Sequence, residues 1–559
     1  MTETFGPLSP ALILILSGLL LPLLRGPLRN ALFLFAPVAA LVLVWALPLE
    51  PGLAIDWLGL HLVPLASDNM SRIFGTAFGI AAIAGALYGV SQPSVTEKAA
   101  ALVYAGAAQG IAFAGDLVTL FVFWEILAIG STLVIWSNGN TRAGLRYALI
   151  HVLGGVLFFA GISAEISASG SVAMHAMRAD TIGRWLMLSG ILVNAGALPL
   201  SAWVADAYPK ASWSGAVFLS AFTTKAAVLV LIRLFPGEPA LLWIGLAMAI
   251  YGLIYALLEN DIRKLLSYSI VGQVGFMVVA VGIGSPLALA AAALHALAHI
   301  LYKSLLMMAA GSILRSTGET RLTELGGLFR VMPFTAVAML VGGFSLAAMP
   351  LTAGFISKSA IFAALAEDQA RFYWFALMAI STGSVLYIAL KLPWFALFGQ
   401  RRSDVAVEPT GSMKAAMGGL CALIVALGCF PAWLESLAPE IVGVPILTVD
   451  HILFQWLMLI AASCIFIGLF ALLRPSVGST LDVDWLWREL PRQVIPFSNG
   501  IRDRFRKPAD RGLSQAKQGI ALFSQAFQSR LRMAGNWRTG EVAAWATALL
   551  AIYVLIAAL

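Results

Sequence analysis

Apolar runs of about 20 residues, the length that carries an α-helix across a bilayer, recur about sixteen times along the chain. They predict membrane helices over 7–24, 30–48, 70–91, 98–114, 116–136, 144–165, 183–203, 213–235, 241–258, 265–284, 288–314, 331–366 with a break, 373–398, 415–434, 452–473 and 541–558. The connections are short, as antiparallel neighbours in a bundle require. The run at 7–24 follows a stretch whose one charged side chain is Glu3, and it reads as the first span rather than a cleavable signal. Glu50 to Ser67 alternates weakly and predicts a short hairpin outside the membrane. Residues 475–540 are polar, yet Leu513, Ala516, Ile520, Phe523, Phe527 and Leu531 recur at three- and four-residue spacing and form one apolar helix face. Such a helix lies on the membrane surface or on a neighbouring subunit.

The pattern fails informatively between Ser189 and Arg233. Pro199 interrupts one apolar span, and Trp203 to Pro209 cannot continue it as regular helix, because Pro209 has no amide hydrogen and disfavours helix in the residue before it. Lys225 then stands midway along the next span, with no acid within ten residues on either side. A lysine at membrane depth costs between about 2.5 and more than 10 kcal/mol unless it is paired, hydrated or deprotonated. Broken membrane helices are tolerated where protein or a water-filled cavity satisfies the freed backbone. A break beside a buried amine points to an ion path; the plainer alternative is a lysine that snorkels to an interface.

More titratable groups interrupt apolar runs. Glu125 lies near the middle of DLVTLFVFWEILAIGSTLVIW, where an isolated carboxylate is ionised only beside a cation. His295, His299 and Lys303 follow at i, i+4 and i+8 and share one helix face over about 12 Å. Two imidazoles and an amine in file suit a proton relay; zinc is the weaker reading, since no third ligand is evident. Lys358 follows a second break at Pro350 to Gly354. His151, a turn or two from Arg146, reads first as a packing residue, and Lys391, just before Pro393, as a snorkelling one.

Composition agrees with a polytopic membrane protein: 559 residues, 60% hydrophobic and 11% charged. The net charge of +7 is carried by 484–540, where eleven Lys and Arg face four Asp and Glu. Positive charge otherwise alternates between connections, which puts the basic segment in the cytoplasm; the expected location is a bacterial inner (cell) membrane. Arg178 and Arg184 are the main exceptions to that alternation. Nucleic-acid binding is not the expectation. The three cysteines form no CxxC pair, and neither a P-loop nor a GxGxxG after a strand occurs. No cofactor and no resident metal are therefore expected, and the driving force comes from an ion gradient or from partners.

Six patches in fixed order carry a family resemblance: FVFWE with Glu125, ALPLSAWVADAYP, FTTKAAVLVLIR with Lys225, NDIRKLLSYSIVGQVGF from Asn260, HALAHILYKSLLMMAAG, and PLTAGFISK with Lys358. From about Asp68 to Phe398 the chain resembles the antiporter-like membrane subunits shared by respiratory complex I and the multi-subunit Mrp cation/proton antiporters, with most similarity to the D-type branch of the Mrp subunits. The resemblance implies an all-α polytopic bundle of about fourteen helices with two inverted five-helix repeats and discontinuous helices. It implies a first repeat with a break at 199–209 (98–235) and a second with a break at 350–354 (236–400); the run pattern adds N-terminal helices and hairpin (1–97), C-terminal helices (401–474), a basic amphipathic segment (475–540) and a final helix (541–559). It also implies roles: Glu125 as gating acid, Lys225 as central relay amine, His295, His299 and Lys303 as bridge, Lys358 as inlet or outlet.

The family usually has a lysine five residues before the proline of the first break, and here that residue is Asn194. An amide cannot donate a proton or neutralise a carboxylate as an amine does. Either Lys225 or a bound cation replaces it as partner of Glu125, or this half-channel is inactive. Asn194, Asp206 and His151 are the candidate modulators; Ser201, where relatives often have His, is a smaller departure. The expected function is a proton-translocating subunit of a multi-subunit monovalent cation (Na+)/H+ antiporter, not an enzyme. Its partners would be other membrane subunits, protons, a monovalent cation, and anionic lipids at the basic segment. The alternatives are a non-redox pump module of a complex I-like assembly, the energising subunit of another transporter, and a non-conducting structural subunit.

Overall fold

A computed structural model describes residues 9–476 apart from 50, 58 and 401–406, together with 482, 483 and 485. The amphipathic helix expected within 475–540 and the final span at 541–558 lie outside the described residues.

The expected helical bundle forms. Its helices are α1 (Pro10–Leu20), α2 (Gly26–Ala46), α3 (Asn69–Tyr88), α4 (Val95–Phe113), α5 (Leu117–Trp136) and α6 (Thr141–Ser169). Between α2 and α3 the antiparallel hairpin β1 (Pro51–Trp57) and β2 (Leu60–Ala66) pairs Trp57 with Leu60. It is tied to the start of α5 by Val63 N–H to the Asp116 carboxylate at 2.9 Å. Then come α7 (Ile182–Ala195), the short α8 (Trp203–Ala207), α9 (Gly215–Ala221), α10 (Thr223–Leu234), α11 (Ala240–Leu258), α12 (Ile262–Ile283) and α13 (Pro286–Thr317). The chain continues through α14 (Pro333–Leu346), α15 (Ala353–Glu367), α16 (Arg371–Val385), α17 (Gly411–Cys429), α18 (Ala432–Leu437), α19 (Val449–Gly468) and α20 (Phe470–Leu473). Among the described residues, eleven helical segments are long and apolar enough to cross a membrane, with α9 and α10 together making one.

Acidic caps start several of these helices where the sequence turns apolar. Asp68 accepts from Ser71 N–H at 2.6 Å, Asp116 from Thr119 N–H at 2.8 Å, and Asp261 from Arg263 and Lys264 N–H at 2.8 and 3.0 Å. Each satisfies amides that the first helical turn leaves without partners. α11 and α12 touch backbone to backbone: a Cβ on Gly252 would lie 2.3 Å from the Gly272 nitrogen. Small residues that let membrane helices meet this closely replace the hydrophobic drive that lipid cannot supply.

The layering decides where polar groups can sit. The most apolar stretch of Gly215–Leu234 is 100% buried and those of α12 and α13 are 94% buried, against 11% for α19 at the rim. Three expectations need correction. The helix predicted over 183–203 ends at Ala195, because Gly196 takes a φ of +77° and Pro199 follows. The span predicted over 213–235 is divided at Phe222. The span predicted over 373–398 leaves α-helical geometry after Val385 and runs as π-helical turns, Leu386–Lys391 and Trp394–Phe398, on either side of Pro393.

Candidate functional site

Two of the helix discontinuities among the described residues lie beside buried lysines. At the first, α9 and α10 meet at Phe222, with φ −103° and ψ −66°. Ser220 lies in the last turn of α9, where carbonyl oxygens lack helical donors. The Lys225 ammonium donates to that Ser220 oxygen at 2.5 Å. On the other side of the break the Thr223 N–H donates to the Tyr104 hydroxyl at 3.0 Å, and Tyr104 also meets the Thr223 hydroxyl at 2.6 Å.

At the second, α14 stops at Leu346 and α15 begins at Ala353. The connection passes through left-handed backbone at Ala348 and Leu351, with φ of 57° and 65°. Lys358 donates to the Leu346 oxygen at 2.8 Å and to the Ser381 hydroxyl of α16 at 3.2 Å, and its ammonium lies 5.2 Å from the Phe276 ring centre. Gly354 is required here: a Cβ would sit 1.8 Å from the Ser345 oxygen.

α13 runs between these breaks. His295, His299 and Lys303 are fully buried, as is Lys225, and Lys358 is 1% exposed. The His295 Nδ1 meets the hydroxyl of Ser357, the residue before Lys358, at 2.9 Å. Lys303 donates to the Ser269 hydroxyl of α12. The His295 and His299 ring centres are 6.4 Å apart, with the Tyr302 ring 5.2 Å from that of His299. Both ring nitrogens of His299, the His295 Nε2, the Tyr302 hydroxyl and the Thr224 hydroxyl are buried without a protein hydrogen-bond partner among the described residues. Buried polar atoms in native proteins almost always have a partner, protein or water, and for these atoms that partner is water.

Glu125 stands apart. It is partly buried, between the exposed Val122 and Ile129 on the outer face of α5, and its Oε1 has no hydrogen-bond partner among the described residues. The carboxylate lies against α6, where a Cβ on Gly155 would come within 2.2 Å of Oε1. Asn194 packs against the neighbouring Gly154, buried, with both amide atoms unpartnered among the described residues. His151, one turn before Gly155, is buried, stacks on Tyr147 at 3.9 Å between ring centres and meets Trp203 of α8 edge-on at 4.6 Å. Asp206 on α8 is held by Arg146 of α6 through two hydrogen bonds, 2.7 and 2.8 Å. Neither Lys225 nor another cation lies within ion-pair distance of Glu125 among the described residues. Tyr147, beside His151, donates to the Ser131 hydroxyl at 2.9 Å and lies 3.4 Å from the hydroxyl of Thr223, two residues before Lys225.

Tyr104, Tyr147, Thr223, Ser269, Ser357 and Ser381 were not legible as site residues, since a hydroxyl within an apolar helix usually bonds its own backbone; the paired threonines of FTTK were the available signal. Lys391 does not snorkel. It is 1% exposed and donates to the carbonyls of Leu257 and Glu259 at the end of α11, the latter at 3.0 Å, where a cation complements the helix terminus.

A family described as NADH:quinone oxidoreductase/Mrp antiporter, TM, matches residues 114–386. The A/B-type subunit of a probable K(+)/H(+) antiporter of Rhizobium meliloti is 30% identical over 493 residues, covering 79% of this chain and 49% of the relative. The chain thus spans about half the length of that relative. The D-type subunit of the Na(+)/H(+) antiporter of Alkalihalophilus pseudofirmus is 30% identical over 346 residues, 57% of this chain and 69% of the relative. The solved Mrp complex from Dietzia sp. DQ12-45-1b contains a chain that superposes with a TM-score of 0.74 at 22% identity, over 98% of this chain and 63% of that one, which bears on the fold alone. This chain is a multi-pass membrane protein of the NADH:quinone oxidoreductase/Mrp antiporter family.

Proposed function

We propose that this chain is a proton-translocating subunit of a multi-subunit monovalent cation/proton antiporter, with Na+ as the exchanged cation. Protons pass between Glu125, Lys225, the His295, His299 and Lys303 file, and Lys358. One observation carries the reading: two interrupted helices each present a buried lysine to a carbonyl oxygen at the break, with a histidine file between them. An ammonium held only by neutral acceptors can give up its proton without breaking an ion pair. Opposite charges 4 Å apart interact by roughly 4 kcal/mol at an effective dielectric of 20. Moving or neutralising one group therefore changes its neighbour's proton affinity by up to about a thousandfold, which is ample for switching. The Tyr147 and Thr223 hydroxyls supply the connection between the Glu125 side and Lys225, with Asn194, His151 and Asp206 shaping that side. The break at Phe222, beyond the one expected at 199–209, and the break after Leu346 are compatible with a division into two inverted repeats, 98–235 and 236–400, with other membrane subunits as partners.

The test is proton flux in vesicles holding the assembled complex. Glu125→Gln, Lys225→Ala and Lys358→Ala are each expected to suppress it; unchanged flux in all three, with assembly intact, overturns the reading. A second reading is a pump module of a redox-driven assembly, favoured by the family's membership. Copurified subunits with iron–sulfur or quinone sites would identify it. Asn194, an amide where the resemblance leads one to expect a lysine, favours a third, a non-conducting structural subunit, for which wild-type vesicles would show no flux attributable to this chain.

A further inference from the structure

The rim of the bundle holds a crevice that the proton path does not use. An apolar cavity of about 700 Å³ lies between α14, the π-helical turns after α16, and α19; Phe344, Leu390, Trp394, Phe398, Phe466 and Ile467 are among its walls. Trp394 and Ile467 are 50% and 75% exposed, so the crevice opens sideways at the protein surface. Two smaller cavities continue it toward one end. One, of about 290 Å³, shares Trp394 and Phe470 with the crevice and adds Gln400 and Arg474. The other, of about 430 Å³, shares Phe398 and adds Arg330 and Gln400. The Arg474 guanidinium lies 5.3 Å from the Phe470 ring centre, at the junction. Neither Arg330 nor Arg474 has an ion-pair partner among the described residues.

We infer that this crevice is a binding site for an anionic phospholipid of the surrounding membrane, its acyl chains lying against α19 and its phosphate at Arg330 and Arg474. An apolar crevice that opens sideways at membrane depth offers water no polar partners, and left unfilled it denies its walls dispersion contacts. Its volume is within the range of small-molecule sites. In the hydrocarbon layer the matching filler is an acyl chain. The ends differ in the way a phospholipid does: aromatic and aliphatic walls at depth, guanidinium groups and an amide at the mouth. Guanidinium pairs with phosphate oxygens through parallel hydrogen bonds. The charge bias of the connections puts this mouth on the cytoplasmic side, where anionic lipids attract basic groups. The wall is also mechanically relevant, because α16 carries Ser381, which holds Lys358, and the π-helical turn carries Lys391, which caps α11. A bound lipid would thus brace the element beside the second break.

The test is native mass spectrometry of the intact complex released from nanodiscs of equal phosphatidylglycerol and phosphatidylcholine, joined to a map of the complex in the same discs. The wild type is expected to retain phosphatidylglycerol over phosphatidylcholine at least fivefold, with two tails visible in the crevice. The Arg330→Gln/Arg474→Gln variant, altered at exposed positions, is expected to lose one retained phosphatidylglycerol per complex. Ser463→Trp, which fills the crevice from α19, is expected to lose the tails as well. Equal retention of the two lipids, or retention unchanged in the arginine variant, overturns the inference. So does a map in which a protein helix, from this chain's 541–559 or from a partner, occupies the crevice.

Discussion

The two interrupted helices reach the same end by different means. The second is built into the backbone: six residues, from Ala347 to Thr352, separate α14 from α15, and two of them take left-handed φ values. A glycine at 354 lets the halves approach. The first has a single residue, Phe222, between α9 and α10, with no proline or glycine at the joint. There a side chain from another helix does the work, the Tyr104 hydroxyl taking up the Thr223 N–H. Both place a buried lysine on a carbonyl at the break. A backbone-encoded break persists whatever packs around it, whereas a contact-encoded break lasts only while its neighbour stays in register. The Lys225 half is therefore the more adjustable of the two.

Replacing each lysine by arginine tests the shared feature most severely. Guanidinium keeps the positive charge and the hydrogen bond but cannot release a proton at any working pH. Lys225→Arg and Lys358→Arg are expected to lower proton flux by about a hundredfold or more, the scale on which positioned proton donors matter, while the complex still assembles. If either variant conducts normally, that lysine is a cap for the broken helix and nothing more. Next in size, Gly354→Ala drives a methyl into the Ser345 carbonyl, and overpacking of this kind costs about 1–3 kcal/mol or more. A lowered unfolding temperature in detergent is the expected result. An unchanged one would show that the second break yields as easily as the first.

Tyr104→Phe separates the halves in the opposite direction. It strips the buried Thr223 amide of its acceptor, at about 1–3 kcal/mol, and is expected to speed hydrogen exchange around residues 220–225 while leaving 345–358 as protected as before. Equal changes at both breaks would contradict independent construction. Smallest, Ser381→Ala removes one of two acceptors from Lys358, worth about 1 kcal/mol. Flux is expected to fall only a few-fold, since the Leu346 carbonyl remains; a loss as large as that of Lys358→Arg would make Ser381 part of the path.

Much of this is readable without any fold. A glutamate, lysines and histidines inside apolar runs declare themselves because hydrocarbon penalises them wherever the helices end up. Pro350 announces a discontinuity because its ring removes a donor. The break at Phe222 is hidden because a phenylalanine between an alanine and two threonines is ordinary helix until Tyr104 arrives. The hydroxyl contact between Tyr147 and Thr223 is hidden for the same reason, its members lying 76 residues apart. Asp482 is a third case. By sequence it belongs to a polar basic segment, yet it is buried and accepts hydrogen bonds from Tyr251 and Tyr268, the shortest at 2.6 Å. No local pattern marks two tyrosines more than 200 residues away as its partners.

Run lengths alone dictated a polytopic helical bundle, because a backbone in lipid must satisfy its own polar groups and helices do so locally. The identities of the titratable residues were equally local facts. Which of them meet was settled by helix rotation and neighbour contacts, which depend on the whole assembly: Lys225 came to rest on its own chain's carbonyl and not on Glu125, and Glu125 on the outer face of α5. A hydrogen bond tolerates only a few tenths of an ångström of misplacement, and that tolerance is set by packing in three dimensions, not by spacing along a chain.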